Sequence, residues 1–349
     1  MISSSSSSSS SSSLVRRSAS RLRTSVTDLL GIDAPIMCGG MHYVSYAELV
    51  AAVSNAGAIG FLTAVTQPTP EKLREEIRRT RAMTSKPFGV NLSFLPAAKP
   101  PDYMSYIRVI IDEGIKVVET AGNNPGKYIE VLKKGGITVI HKCVTVRHAK
   151  TALRHGADII SVDGFECAGH PGMDDVGLML LLPIFRRALP GVPLIASGGI
   201  GDGSQLAACI ALGAGAVNMG TRFMATKEAP IHSNIKRTLV ESDQTQTTLI
   251  LKTLKNTERV FKNDMALKAQ AAERAKPGDI GVIREYIAGS KYRKSFHETG
   301  DTTDSVWSCG QVIGIIDDVP SVQELVSRIV GEASSIAQST LPGAVAARL

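Results

Sequence analysis

The chain has 349 residues, 43% hydrophobic and 20% charged, an ordinary globular composition with ample length for one large core. Its formal charge of +7 points to a nucleic-acid partner only until the charge is located: residues 1–27 hold Arg16, Arg17, Arg21, Arg23 and no acid, and the rest carries 35 basic against 32 acidic residues, which does not indicate a basic groove. No apolar run approaches the ~18 residues of a membrane span, and the five cysteines (Cys38, Cys143, Cys167, Cys209, Cys309) lack metal spacing and read as free thiols.

The chain opens on an unbroken serine tract, Ser3–Ser13, followed by the arginines. Such a segment buries too little apolar surface to order itself. Ser-rich, Arg-rich and acid-free, it reads equally as a transit peptide, placing the protein in the mitochondrial matrix, or as a solvated tail in the cytoplasm. The expectation is a disordered leader over 1–27 and a fold that begins near Asp28.

From Pro35 one pattern repeats: a short apolar run, a polar or glycine turn, then an amphipathic stretch. The apolar runs are Pro35–Met37, Ala58–Leu62, Pro87–Leu92, Lys116–Thr120, Thr138–Ile140, Ile159–Val162, Pro193–Ala196 and Ala216–Met219. Helical periodicity lies between them, as over Tyr46–Ala56, Pro70–Arg81, Asn124–Lys134 and Gly203–Leu212, with Pro70, Pro125 and Thr145 at expected helix starts. Strands alternating with helices imply a parallel sheet, and eight such units predict a closed (β/α)8 barrel. An open doubly wound sheet is the runner-up, but Gly198-Gly199-Ile200-Gly201-Asp202-Gly203 follows the seventh run rather than the first and is not G-x-G-x-x-G. Residues 228–318 lose the cycle and read as a helical insertion, equally placed to be a dimerisation surface, and Ser321 opens a last helix through about Ile336. The barrel is thus expected over 28–227 and 319–349.

Chemistry in such barrels lies at the C-terminal strand ends. Those positions hold Gly39-Gly40-Met41, Thr63-Ala64, Asn91, Gly122-Asn123, His141-Lys142, Asp163 with Glu166 and His170, Ser197-Gly198-Gly199 and Gly220-Thr221-Arg222, nearly all small or polar. Glycine turns after strands seven and eight suit a phosphate, or are plain turns. Lys142 would put positive charge at the barrel mouth or be solvated; Asn91 would bond a ligand edge or cap a turn. His170, in a glycine loop, is placed to donate to a substrate oxygen or act as a base, or is structural. Cys167 beside it has no evident activating base and reads as packing. Phe94–Pro101, with three prolines, is placed either as a lid or as a plain connector.

These stretches resemble a known family. Pro35-Ile36-Met37 with Gly39-Gly40-Met41, Pro87–Leu92, Ile140-His141-Lys142-Cys143, Asp163–Gly172, Ala196–Gly199 and Asn218–Phe223 are similar to the nitronate monooxygenase superfamily, formerly 2-nitropropane dioxygenases. Thr120–Pro125 and the Phe165-Glu166-Cys167 loop look closest to its NADH:quinone reductase branch, although Met173 stands where similar sequences usually carry Glu. The resemblance implies bound FMN, with Gly40, Met41, Asn91, Lys142, Asp163, Gly169, Ser197, Gly199, Gly220 and Thr221 lining its site, His170 facing a small-molecule substrate, and no metal. It further implies NAD(P)H as co-substrate and a quinone as acceptor. Oxidation of an alkyl nitronate with oxygen is the alternative, and reduction of an enoyl thioester a third.

Overall fold

The computed structural model describes residues 22–94 and 100–342. Eight parallel strands close into one barrel in sequence order: β1 (Ile36–Cys38), β2 (Ile59–Thr63), β3 (Gly89–Phe94), β4 (Val117–Gly122), β5 (Thr138–Cys143), β6 (Ile159–Asp163), β7 (Leu194–Ser197) and β8 (Ala216–Met219). All eight coincide with the expected apolar runs to within two residues at either end, except that β5 runs three residues further, to Cys143. Burial on both faces makes each strand read as a continuous apolar run rather than an alternation.

Helix α1 (Ser25–Leu30) precedes the barrel; α2 (Ala47–Asn55), α3 (Pro70–Met83), α4 (Tyr103–Asp112), α5 (Gly126–Lys134), α6 (Val146–Arg154), α7 (Leu178–Ala188) and α8 (Gly203–Ala211) surround it. Local chemistry sets their starts. Thr69 caps α3 with Pro70 at its first position, Thr145 caps α6, and Asp202 caps α8. The folded chain reaches further toward the N-terminus than expected. Thr24 and Thr27 form a capping box, Thr24 Oγ1 donates to Gly215 O at 2.5 Å, and Val26 is fully buried. Six residues are under two turns, too short for a periodicity to be recognised. The serine tract lies outside the described residues.

The interior of the barrel is layered by the two-residue period of the strands. Met37, Ile59, Phe61, Val117, Ile140, Ile159, Ile195 and Ala216 form an apolar floor, which Val26 and Leu30 of α1 close from below. Residues two positions further along the same strands are polar: Thr63, Glu119, Lys142, Ser161, Ser197 and Asn218. The alternate side chains of the strands, such as Leu62, Val90, Val139 and Ile160, pack outward in the larger core beneath the helices.

After β8 come α9 (Thr221–Met224) and an insertion holding α10 (Ser233–Val240), α11 (Asp264–Ala275) and α12 (Gly289–Lys294). It also holds an antiparallel hairpin, β9 (Thr247–Ile250) with β10 (Glu258–Phe261), which the sequence reading passed over. Two four-residue strands in a polar, helix-rich stretch leave no period long enough to recognise. The last helix, α13 (Val322–Ser335), opens on the Ser321–Glu324 capping box and packs on α8, whose first amide (Gly203) donates to Glu332 at 2.9 Å. Arg222 ties β8 to the return of the chain, donating to Asp318 O at 2.9 Å and pairing with its carboxylate at 3.2 Å. Among the described residues no helix is long and apolar enough to cross a membrane, and no group of side chains is arranged to hold a metal.

Candidate active site

A cavity of about 790 Å³ opens at the C-terminal end of the barrel, between the strand-end loops and the insertion. Gly40, Met41, Lys142, Asp163, Gly169, His170, Ser197, Gly199, Gly220 and Thr221 all border it. Asn91 does not. Its side chain is buried in the polar layer beneath, with Nδ2 donating to Glu119 at 2.6 Å and Oδ1 accepting from Ser93 Oγ at 3.0 Å. The stretch expected as a lid falls on Leu95–Lys99, outside the described residues, although Pro101 borders the cavity.

Charge concentrates on one wall. Lys142, at the end of β5, stands 3.5 Å from Asp163 and 4.0 Å from Glu119. Burial works against its positive charge, but the two carboxylates outweigh burial and hold the ammonium above its ordinary pKa. Glu119 is fully buried, and burial raises its carboxyl pKa while Lys142, Gly40 and Asn91 pull it back. Asp163 borders the cavity, and among the described residues no protein group donates to its buried Oδ1. An orphaned acceptor beside a large cavity suits a ligand that brings its own donor.

The glycine turns after β7 and β8 lie side by side because the two strands pair in register, Ser197 against Asn218. Gly198 has φ +99°, and a Cβ there would sit 3.0 Å from both Cys167 Cβ and Gly164 O, so only glycine lets the turn approach that loop. The turn runs into α8, whose first turn is already engaged, Gly203 N–H donating to Glu332 and Gln205 N–H to Asp202, so an anion would meet the glycine turn itself. Thr221 is partly committed: its hydroxyl accepts from Gly310 N–H at 3.0 Å.

His170 is positioned by the insertion. Its Nδ1 lies 3.1 Å from Thr257 O and 3.3 Å from Asn256 O. Carbonyls only accept, so Nδ1 carries the proton and Nε2 is the nitrogen left for chemistry. The clamp extends along the loop. Gly169 and Arg259 exchange backbone hydrogen bonds at 2.6 and 3.2 Å, and the buried Arg259 guanidinium donates to Phe165 O at 2.9 and 3.1 Å and packs over the Phe165 ring. Among the described residues no carboxylate pairs with Arg259, and burial lowers its pKa. Cys167, in the same loop, is buried and its thiol is pushed up by that burial, which fits the packing role. The upper wall is aromatic: His42 lies 3.9 Å from the Tyr43 ring and 6.3 Å from that of Tyr292, both centroid to centroid.

Residues 23–106 and 95–332 match the profile of the nitronate monooxygenase family. The chain belongs to the nitronate monooxygenase family. It is 32% identical to the (3aS,4S,5R,7aS)-5-hydroxy-7a-methyl-1-oxo-octahydro-1H-indene-4-carboxyl-CoA dehydrogenase of Mycobacterium tuberculosis, over 90% of this chain and 96% of that one. A nitronate monooxygenase of Paraburkholderia phytofirmans is 29% identical over 88% of this chain and 94% of its own length. Among solved structures, FabK from Thermotoga maritima superposes with a TM-score of 0.85 at 34% identity, covering 92% of this chain and 99% of that one. The chain is therefore an oxidoreductase of this family on the same barrel.

Glu119, Asn218, Arg259 and His42 were not singled out from the sequence. For the first two a signal existed: a carboxylate in Val117-Val118-Glu119-Thr120 and an amide in Ala216-Val217-Asn218-Met219 are polar groups inside buried strands, which need partners. For Arg259 none did, because nothing in its neighbourhood indicates what it folds against.

Proposed function

We propose that this member of the family is an FMN-dependent oxidoreductase that takes electrons from NAD(P)H and delivers them to a quinone. The observation that carries the reading is His170, held at Nδ1 by two backbone carbonyls so that Nε2 is free at a cavity that the Lys142 cation also borders. Bound FMN would supply the electron chemistry, accepting a hydride and passing electrons on. The residues fit it: the Ser197–Gly199 and Gly220 turns for its phosphate, Asp163 Oδ1 as an acceptor for a ring donor, and Lys142 as positive charge against a reduced ring. His170 Nε2 would take a proton from a substrate or return one to its oxygen, in a cavity with room for a second ligand.

A second reading has a specific observation behind it: the dehydrogenase relative acts, by its name, on a carboxyl-CoA compound. An acyl thioester also presents a carbonyl oxygen to His170 and suits the same wall. Nitronate oxidation is the activity named for the Paraburkholderia relative, and in this chain it would use His170 as base or anion anchor.

Anaerobic mixing with NADH, NADPH, an alkyl nitronate and an acyl-CoA, followed by flavin absorbance, separates these. Bleaching by NAD(P)H with recovery on adding a quinone is the expected result, and His170→Ala slows the recovery. Recovery by an enoyl-CoA but not by quinones selects the thioester. Bleaching by the nitronate alone, with nitrite release once oxygen is admitted, overturns the proposal.

A further inference from the structure

The carboxylate of Glu119 lies inside the barrel with no solvent exposure, and its partners come from four other strands or their ends. Gly40 N–H, just past β1, donates to Oε2 at 3.0 Å, and Asn91 Nδ2 of β3 donates to the same oxygen at 2.6 Å. Asn218 Nδ2 of β8 donates to Oε1 at 3.3 Å, and Lys142 Nζ of β5 stands 4.0 Å from Oε1. Asn218 in turn accepts from Gly39 N–H at 2.9 Å. Both amides of the Gly39–Gly40 corner are thus directed into this network. The corner rests directly on it: a Cβ at Gly39 would meet Asn218 at 2.8 Å and Glu119 at 3.1 Å, and one at Gly40 would meet Asn91 Cβ at 2.3 Å.

The register explains the convergence. Asn91 and Glu119 are directly paired on β3 and β4, and Lys142 follows two residues after Ile140, the β5 partner of Glu119. Lys142 therefore has two carboxylates with different tasks. Asp163 borders the cavity and keeps Oδ1 without a protein partner, while both oxygens of Glu119 are bonded inside the barrel. Glu119 is a fixed counter-charge one layer below the place where a ligand would lie.

We propose that Glu119 is a positioning residue of the site: it sets the Gly39–Gly40 corner and Lys142, and its negative charge biases the bound flavin toward the oxidised state. This rests on the FMN reading. The reason is electrostatic. Reduction adds electron density to the ring, and a buried anion below opposes it while Lys142 favours it.

The test is the midpoint potential of the bound flavin, with FMN titrated into apo-protein as a separate readout. Glu119→Gln raises the ratio of reduced to oxidised flavin affinity about tenfold, an upward shift of ~30 mV for a two-electron couple. Lys142→Met shifts the potential down, and adding Glu119→Gln to it brings the potential back up. Should Glu119→Gln alone not fold, that last comparison decides, because the double variant leaves no unpaired charge of this pair. An unchanged potential in Glu119→Gln, or in the double variant relative to Lys142→Met, overturns the inference while leaving FMN binding intact. Wild-type apo-protein that takes up no FMN overturns the cofactor reading, and this inference with it.

Discussion

Arg259→Ala tests whether the insertion is part of the catalytic apparatus. The guanidinium donates twice to Phe165 O, at 2.9 and 3.1 Å, and once to Thr247 Oγ1 at 3.1 Å, and lies 5.1 Å from the Phe165 ring centre. Hydrogen bonds from a charged donor contribute ~1.5–3 kcal/mol each; with the two to Phe165 O counted as one they sum to ~3–6 kcal/mol. The ring contact adds ~1 kcal/mol. Against this, the arginine is buried without a carboxylate, and its removal recovers several kcal/mol of desolvation. The net expectation is a loss of ~2–4 kcal/mol, or a Tm lower by roughly 3–6 °C at this chain length. The kinetic effect is the sharper one. His170 leans on Thr257 O, two residues before Arg259 on the same hairpin, so loosening the clamp frees the ring. A displacement of ~1 Å at a reacting group can cost ~100-fold, and turnover is expected to fall 10- to 100-fold while flavin content holds. Thermal unfolding, flavin absorbance and steady-state turnover on one preparation suffice. Full turnover at a lowered Tm would reduce the hairpin to a brace; an unchanged Tm would refute the hydrogen-bond arithmetic.

Three further outcomes follow from the same geometry. Gly40→Ala places a methyl 2.3 Å from Asn91 Cβ, so the corner must move; purified protein should lose most of its flavin and ~1–3 kcal/mol of stability, and full retention of flavin would show that the corner does not shape the site. His141 is buried against Thr120, and burial lowers its pKa from 6.5 to about 4. Between those values the unfolded chain binds a proton that the folded chain does not, so stability falls as pH drops through that window, by up to ~3 kcal/mol from this group; urea unfolding at both ends, repeated on His141→Gln, should show a shallower dependence in the variant. Glu273→Ala leaves the amides of Leu251 and Thr253, which now donate to its carboxylate at 2.9 and 2.7 Å, without partners. Amide exchange should rise across the hairpin turn and not in the barrel, and uniform exchange would contradict a local effect.

Much of this protein is legible in its residues alone. Eight apolar runs between helical stretches specify a closed parallel barrel because strands buried on both faces carry no alternation, and glycine or polar residues after each run mark the mouth. Family-like stretches such as Asp163–Gly172 and Asn218–Phe223 add the expected cofactor, and ten of the eleven residues picked out from the sequence border one cavity. The polar layer is not legible in this way, since Glu119 and Asn218 acquire meaning only when the barrel closes and Asn218 of β8 meets Glu119 of β4. Asn91 shows the same limit: its position on β3 was right, but register decided that its amide meets Glu119 rather than the cavity. The role of the insertion was decided wholly by tertiary structure. A short hairpin in a polar segment has no period to read, and the bonds from Thr257 and Arg259 to the His170 loop join residues about ninety positions apart, a pairing that local chemistry does not encode.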